Sequence, residues 1–235
     1  MTIGKINSIQ SLGALDGPGI RFVVFMQGCN LRCGCCHNPE TWDCDGGEEY
    51  TANAILEKAK RFKAYFGPKG GITVSGGEPL LQAEFVYELF SKCHEVGINT
   101  CLDTSGSVLN DMVIKALSVT DRVLLDIKYD NEVDYNNFVG CSIEKPIAFL
   151  QTLDNMNIPT TIRNVVIPTL NDNENSISFL NDLAAKYNCI DKIELLPFKK
   201  ICKVKYDDMN LKFRFDHIQE PDREMMQKLN SLINL

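Results

Sequence analysis

Apolar positions along the chain switch repeatedly between two periods, and the switches outline a recurring pair of elements. Ile20–Met26 (IRFVVFM) is, apart from Arg21, a continuous apolar run of β-branched and aromatic residues, as expected of a strand covered on both faces. Thr51–Phe66 carries Ala54, Ile55, Ala59 and Phe62 at helical spacing, with Thr51 as a candidate N-cap. The alternation continues with strand Gly71–Ser75, which runs into Gly76-Gly77. Helix Gln82–Val96 follows, with Phe85, Leu89 and Phe90 on one face and Gly97 at its end, then strand Asn99–Asp103. Next come helix Asn110–Leu117, strand Arg122–Asp126, helix Lys145–Met156 and strand Thr160–Val166. Helix Asn173–Tyr187, strand Lys192–Leu196 and a last helix from Pro221, a good first-turn residue, complete the series. Repeated βα units predict an α/β protein with mostly parallel strands, doubly wound or curled into a barrel. Six strands fall two short of a complete eight-stranded barrel. With no low-complexity linker and no internal charge block, residues 1–235 read as one domain.

Composition narrows the function classes. At 235 residues the chain can bury a substantial core without disulfide staples. Lys and Arg number 24 against 31 Asp and Glu, a net charge of −7, which argues against nucleic-acid or anionic-membrane partners. No apolar run approaches the ~18 residues of a membrane span. The start, MTIGKINSIQSLG, has no signal-peptide core, so a cytoplasmic location is expected. In that reducing setting ten cysteines serve as metal ligands or buried thiols rather than disulfides. Cys93, Cys101, Cys141, Cys189 and Cys202 are isolated and read as small core residues, although the basic surroundings of Cys202 (KKICKVK) could lower a thiol pKa.

The other cysteines are crowded: Cys29, Cys33, Cys35 and Cys36 lie within eight residues, with Cys44 shortly after. Thiolates are soft ligands that suit zinc and iron–sulfur clusters. Structural zinc sites are closed by four ligands, commonly from two paired knuckles. Here there is no second knuckle, and the side chains of adjacent Cys35 and Cys36 diverge. Three thiolates in the pattern Cys29-x3-Cys33-x2-Cys36 can hold three corners of a [4Fe–4S] cube and leave one iron open for chemistry.

That motif, directly after the first strand, resembles the signature of the radical S-adenosylmethionine (SAM) superfamily. Asp16-Gly17-Pro18-Gly19-Ile20-Arg21, Gln27-Gly28-Cys29 and Cys36-His37-Asn38 are similar to its glycyl-radical-enzyme activase branch. The likeness extends through Ser75-Gly76-Gly77-Glu78, Leu102-Asp103-Thr104, Leu125-Asp126-Ile127-Lys128, Arg163 and Glu194-Leu195-Leu196-Pro197, nearly the whole chain. It implies a partial (β/α)6 barrel and one cluster on a loop spanning residues 27–38. The short Cys36–Thr51 interval leaves no room for a ferredoxin-like insert. It also implies reductive cleavage of SAM, then hydrogen abstraction from a glycine of a large partner, formate C-acetyltransferase foremost. Flavodoxin or ferredoxin would supply the electron, and a monomer is expected. A non-catalytic electron-transfer or zinc protein is the rival reading; it leaves the SAM-like motifs unexplained.

The resemblance also assigns roles. Gly77 and Glu78 would meet the ammonium of SAM; the plain alternative is a turn capped into a helix. Cys35, Cys36, His37, Asp126, Ile127, Lys128 and Arg163 would contact SAM, though an internal acid is the alternative partner for Arg163. Asp103, Thr104 and Asp126 would form a monovalent-cation site. Asp16 and Arg21 would help receive the partner. Lys199 stands where many relatives carry a SAM-contacting histidine, Ser105 where asparagine is commoner, and Cys35 where the family is often aromatic. A Cys→Ser change at position 29, 33 or 36 is expected to abolish SAM cleavage, because serine is a harder, poorer ligand. Cys35→Ser and Cys44→Ser should retain it; the check is iron content and SAM turnover after anaerobic reconstitution.

Overall fold

The computed structural model describes residues 2–235, and the chain divides into two compact units. The first comprises the chain up to Asn30 together with Thr41–Leu124; the second comprises Leu31–Glu40 and Leu125–Leu235. The first contains strands β1 (Ile3–Gly13), β2 (Arg21–Met26), β3 (Glu48–Thr51), β4 (Gly71–Gly76) and β5 (Asn99–Thr104). Its helices are α1 (Ala52–Lys60), α2 (Lys63–Phe66), α3 (Ala83–Glu95) and α4 (Asp111–Leu117). Strand order within the unit is β3-β1-β2-β4-β5. β1 runs antiparallel to β2 and β3, whereas β2, β4 and β5 are mutually parallel. Val24 lies opposite Val74 and Val74 opposite Leu102, all fully buried, so the unbroken apolar runs of the sequence become the core layer.

β6 (Arg122–Asp126) carries the chain from the first unit into the second. The second then contains α5 (Glu132–Phe138), α6 (Glu144–Asn155), β7 (Thr160–Val166), α7 (Glu174–Lys186), β8 (Ile190–Pro197), α8 (Lys203–Asp208) and α9 (Arg223–Asn230). β7 and β8 are parallel, with Ile162 opposite Ile193. Just past β6, the Ile127 N–H donates to the Arg163 carbonyl on β7 at 3.0 Å.

The six expected strands are β2, β4, β5, β6, β7 and β8, so the α/β class with mostly parallel strands holds. Four features differ. The short β3, EEYT, was not expected, having no apolar run to announce it. The long β1 was expected only as a leading segment: its partly polar sequence, IGKINSIQSLG, lacks the continuous apolar run by which the other strands were recognised. The helix expected over Thr51–Phe66 breaks at Arg61–Phe62, where Phe62 turns its ring toward Phe22 at 5.8 Å. The short helices α5 and α8 carried no strong periodicity. Among the described residues, no helix is long and apolar enough to cross a membrane.

Arg21 corrects an expectation. It is 0% exposed, so it cannot touch a partner protein. Its guanidinium donates to Thr73 Oγ1 at 3.0 Å, Asn99 Oδ1 at 2.8 Å and the Lys69 carbonyl at 3.2 Å, and also to the Ile72 carbonyl. Thr73 in turn donates to the Asp16 carbonyl at 2.7 Å, so Arg21 anchors the Asp16–Gly19 turn from below. Replacing it by methionine leaves several buried acceptors unpaired. We expect Arg21→Met to cost at least about 3 kcal/mol, read as a lowered urea midpoint.

Candidate active site

The cysteine loop of the second unit has almost no regular structure, and its neighbours hold it. The Arg32 and Gly34 N–H groups donate to the Val139 and Phe138 carbonyls at 3.2 and 2.8 Å, at the C-terminal end of α5. Tyr206 Oη on α8 donates to the Cys36 carbonyl at 3.1 Å. Lys205 Nζ reaches Asn38 Oδ1 at 2.9 Å and pairs with Glu40. His37 Nε2 lies 3.0 Å from the Lys199 carbonyl; because a carbonyl only accepts, that nitrogen carries the proton. Burial pushes the His37 pKa down. Cys33, Cys35 and Cys36, like Cys29 in the first unit, are partly open to solvent. Cys44 is exposed. The five isolated cysteines are buried, and burial pushes the Cys202 thiol upward, opposite to the lowering its basic surroundings suggested.

In the first unit, β4 ends in a turn that brings backbone close to backbone. Gly76 adopts φ = 107°, a conformation that favours glycine. Gly77 N–H donates to the Met26 carbonyl and Glu78 N–H to the Gly28 carbonyl, each at 2.9 Å. A Cβ on Gly77 would overlap the Gly28 carbonyl oxygen and lie 3.3 Å from Cys29 Cβ. Glycine there lets the turn lie directly against the residues that lead into the cysteine loop.

Glu78 is buried, and its carboxylate accepts four hydrogen bonds. Oε1 takes Leu80 N–H at 3.1 Å and Thr104 Oγ1 at 2.7 Å; Oε2 takes the Ser105 N–H at 3.1 Å and the Ser105 hydroxyl. A carboxylate offers about four acceptor positions. No position remains for an ammonium, so the expected side-chain contact gives way to a positioning role over residues 104–107. Burial raises the Glu78 pKa, and its four donors pull it back. Ser105, where asparagine is commoner, supplies two of them. Asp103 accepts from Ser75 Oγ at 2.7 Å.

In the second unit, Lys128 Nζ pairs with Asp126 Oδ2 at 2.6 Å. Burial, the largest single influence, lowers the lysine pKa; the charges of Asp126, Cys33 and Cys35 together with the Asp126 hydrogen bond outweigh it, and the pKa lies well above the usual value. Ile127 is fully buried, and its carbonyl accepts from Asn164 Nδ2 at 2.7 Å. Asn171 Nδ2 donates to the Lys128 carbonyl at 3.0 Å, so two buried amides fix the Asp126–Lys128 backbone. Arg163 has an internal acid partner after all: Glu194 Oε2, 3.4 Å away on the neighbouring strand, which also pairs with Lys192. The Lys199 ammonium pairs with Glu220 at 2.8 Å on the surface, so its contribution near His37 comes from its backbone carbonyl. Among the described residues, no three His, Cys, Asp or Glu side chains gather as ligands to a single ion would.

Sequence reasoning missed Tyr129, Asn164, Asn171 and Tyr206. Each is ordinary in composition and is singled out only by where the fold puts it. Tyr129 is 3% exposed, and its hydroxyl has no hydrogen-bond partner, an arrangement that costs about 1–3 kcal/mol when nothing satisfies it. Unoxidised soft thiols on a pinned loop, with an unsatisfied buried hydroxyl nearby, form a donor set that fits an iron–sulfur group.

Comparison with known proteins places these residues in context. Residues 23–180 match the Radical SAM superfamily. The chain is 42% identical over 234 residues to the pyruvate formate-lyase-activating enzyme of Clostridium pasteurianum, covering 99% of this chain and 98% of that protein. It is 39% identical to the pyruvate formate-lyase 1-activating enzyme of Escherichia coli K12, covering 98% and 95%. A crystal structure of a domain of pyruvate-formate lyase-activating enzyme from Bacteroides vulgatus superposes with a TM-score of 0.58 at 24% identity. That match covers 70% of this chain and 92% of that one, and it shows a shared fold.

The close approach at Gly77 gives a direct test. Overpacking of this kind costs about 1–3 kcal/mol, roughly 2–12 °C in Tm for a protein of this size. Gly77→Ala is expected to lower Tm within that range and to reduce iron retention after reconstitution, as measured by calorimetry and iron assay.

Proposed function

This chain belongs to the radical SAM superfamily, and we propose that it activates pyruvate formate-lyase (formate C-acetyltransferase) by abstracting hydrogen from a glycine of that enzyme. The carrying observation is Cys29-x3-Cys33-x2-Cys36, three partly exposed cysteines immediately after β2, within a likeness to such activases that spans nearly the whole chain. Cys29, Cys33 and Cys36 would hold a [4Fe–4S] cluster, which would supply the one-electron chemistry for reductive cleavage of SAM and the hydrogen abstraction that follows. The family match crosses both compact units, which supports treating residues 1–235 as a single functional domain.

The chain's own residues bind and orient. In our reading the Gly76-Gly77 backbone approaches the amino-acid end of SAM, where Glu78 keeps the adjoining turn in place. Asp126 and Lys128, already paired and partly shielded from water, contact SAM together with the Ile127 backbone. Arg163 exchanges part of its pairing with Glu194 for the SAM carboxylate, the partner its planar fork suits. The Cys35–His37 segment lies along SAM, with His37 held in one tautomer by the Lys199 carbonyl. Asp103, Thr104 and Asp126 bind a monovalent cation beside the carboxylate, which offsets the accumulated negative charge. The Asp16–Gly19 turn receives the partner: Asp16 is partly exposed, and neighbouring Leu15 is 81% exposed. The electron arrives from flavodoxin or ferredoxin, and the chain acts as a monomer.

Anaerobic reconstitution with iron and sulfide tests this reading. We expect a [4Fe–4S] electron paramagnetic resonance (EPR) signal that SAM perturbs, and a glycyl radical on added pyruvate formate-lyase. SAM cleavage without that radical would reject the proposed substrate. Asp126→Asn should keep its iron and bind SAM about 30- to 4,000-fold more weakly, the equivalent of about 2–5 kcal/mol for a desolvated charged contact. Equilibrium binding to the reconstituted protein measures it.

A further inference from the structure

Tyr129 follows Lys128 at the end of β6 and sits in an aromatic cage. Its ring meets Tyr135 edge-on at 6.3 Å and Phe138 at 5.5 Å, both on α5. The same helix end receives the cysteine loop, through Gly34 N–H on the Phe138 carbonyl. Tyr129 and the loop carrying Cys33 and Cys35 are therefore docked on one short helix. Yet the Tyr129 hydroxyl is buried without a hydrogen-bond partner. Its polar neighbours are already engaged: Tyr135 Oη accepts from the Lys128 N–H at 3.2 Å, and the Lys128 ammonium is held by Asp126. Buried hydroxyls are rarely left unsatisfied, and an exception points to a group that completes the site. Burial, and after it the charge of Cys35, push the phenol pKa upward, and the charge of Cys33 acts in the same direction. The proton therefore stays on the oxygen, available for donation.

We propose that the Tyr129 hydroxyl donates a hydrogen bond to a sulfur of the iron–sulfur cluster, raising its reduction potential. The inference rests on the functional reading above, in which Cys33 is a cluster ligand. Reduction adds negative charge to the cluster's sulfurs, so a fixed donor there stabilises the reduced state more than the oxidised one. Tyr129 is a donor that tunes the electron transfer; the thiols alone hold the iron.

The test compares wild-type holoprotein with Tyr129→Phe, which removes only the hydroxyl. Both are reconstituted anaerobically, poised with redox mediators and read by EPR. We expect equal iron content, an equilibrium constant for reduction about tenfold lower in the variant, equivalent to about 59 mV for one electron, and loss of an exchangeable-deuteron coupling to the reduced cluster in D2O. An unchanged potential and coupling would overturn the inference and leave Tyr129 as packing. If Tyr129→Phe fails to hold iron, 3-fluorotyrosine at position 129 decides: as a stronger donor it should raise the potential, and an unmoved potential overturns the inference. A wild-type chain that takes up no cluster overturns the functional reading as well. One that loads iron and cleaves SAM, with a potential insensitive to position 129, overturns this inference alone.

Discussion

A loop without regular structure has to present thiols at fixed positions, and backbone hydrogen bonds borrowed from neighbouring elements meet that constraint. The last carbonyls of a helix have no partners within it. At the end of α5, the Phe138 and Val139 carbonyls find theirs in the Gly34 and Arg32 N–H groups. One arrangement thus satisfies a helix terminus and immobilises the cysteine loop. Tyr206 holds the Cys36 carbonyl from α8, and the Lys199 carbonyl beyond β8 fixes His37. The loop is positioned mainly through main-chain atoms, so its side chains remain available for ligation.

The charged groups follow a second rule: among the described residues, the buried and half-buried ones at this site are paired. Glu78 accepts four donors, Lys128 pairs with Asp126, and Arg163 pairs with Glu194. A buried charge without a partner would destabilise the fold or lose its ionisation. The consequence is functional. A charged ligand arriving here finds few vacant side-chain partners and must share or exchange existing pairs. The buried Tyr129 hydroxyl escapes this saturation, which is why it carries more information than its residue type suggests.

Much of this was legible in the chain. The six expected strands followed from largely apolar runs, because a strand covered on both faces accepts a polar side chain, such as Arg21 or Asn164, only where it finds partners. The helices between them followed from period and caps: Thr51, Asn110 and Asn173 cap helices where the pattern placed them. The cluster motif was legible because three thiols at short spacing have few alternative uses. β1, β3, α5 and α8 were not legible, being partly polar or too short for a period to declare itself.

Sequence by itself determined the fold class, the spacing of the cysteine motif and the strand ends that carry polar residues, since these depend on residue type and spacing along one chain. Tertiary structure decided which polar groups are already engaged. Arg21 and Glu78 looked like surface and ligand contacts, yet one lies at 0% exposure and the other is saturated by residues as distant as Ser105. Tyr129 looked unremarkable and emerged as an unpaired buried donor. Hydrogen-bond satisfaction is a property of neighbours in space, and residues far apart in sequence supply those neighbours only once the chain has folded.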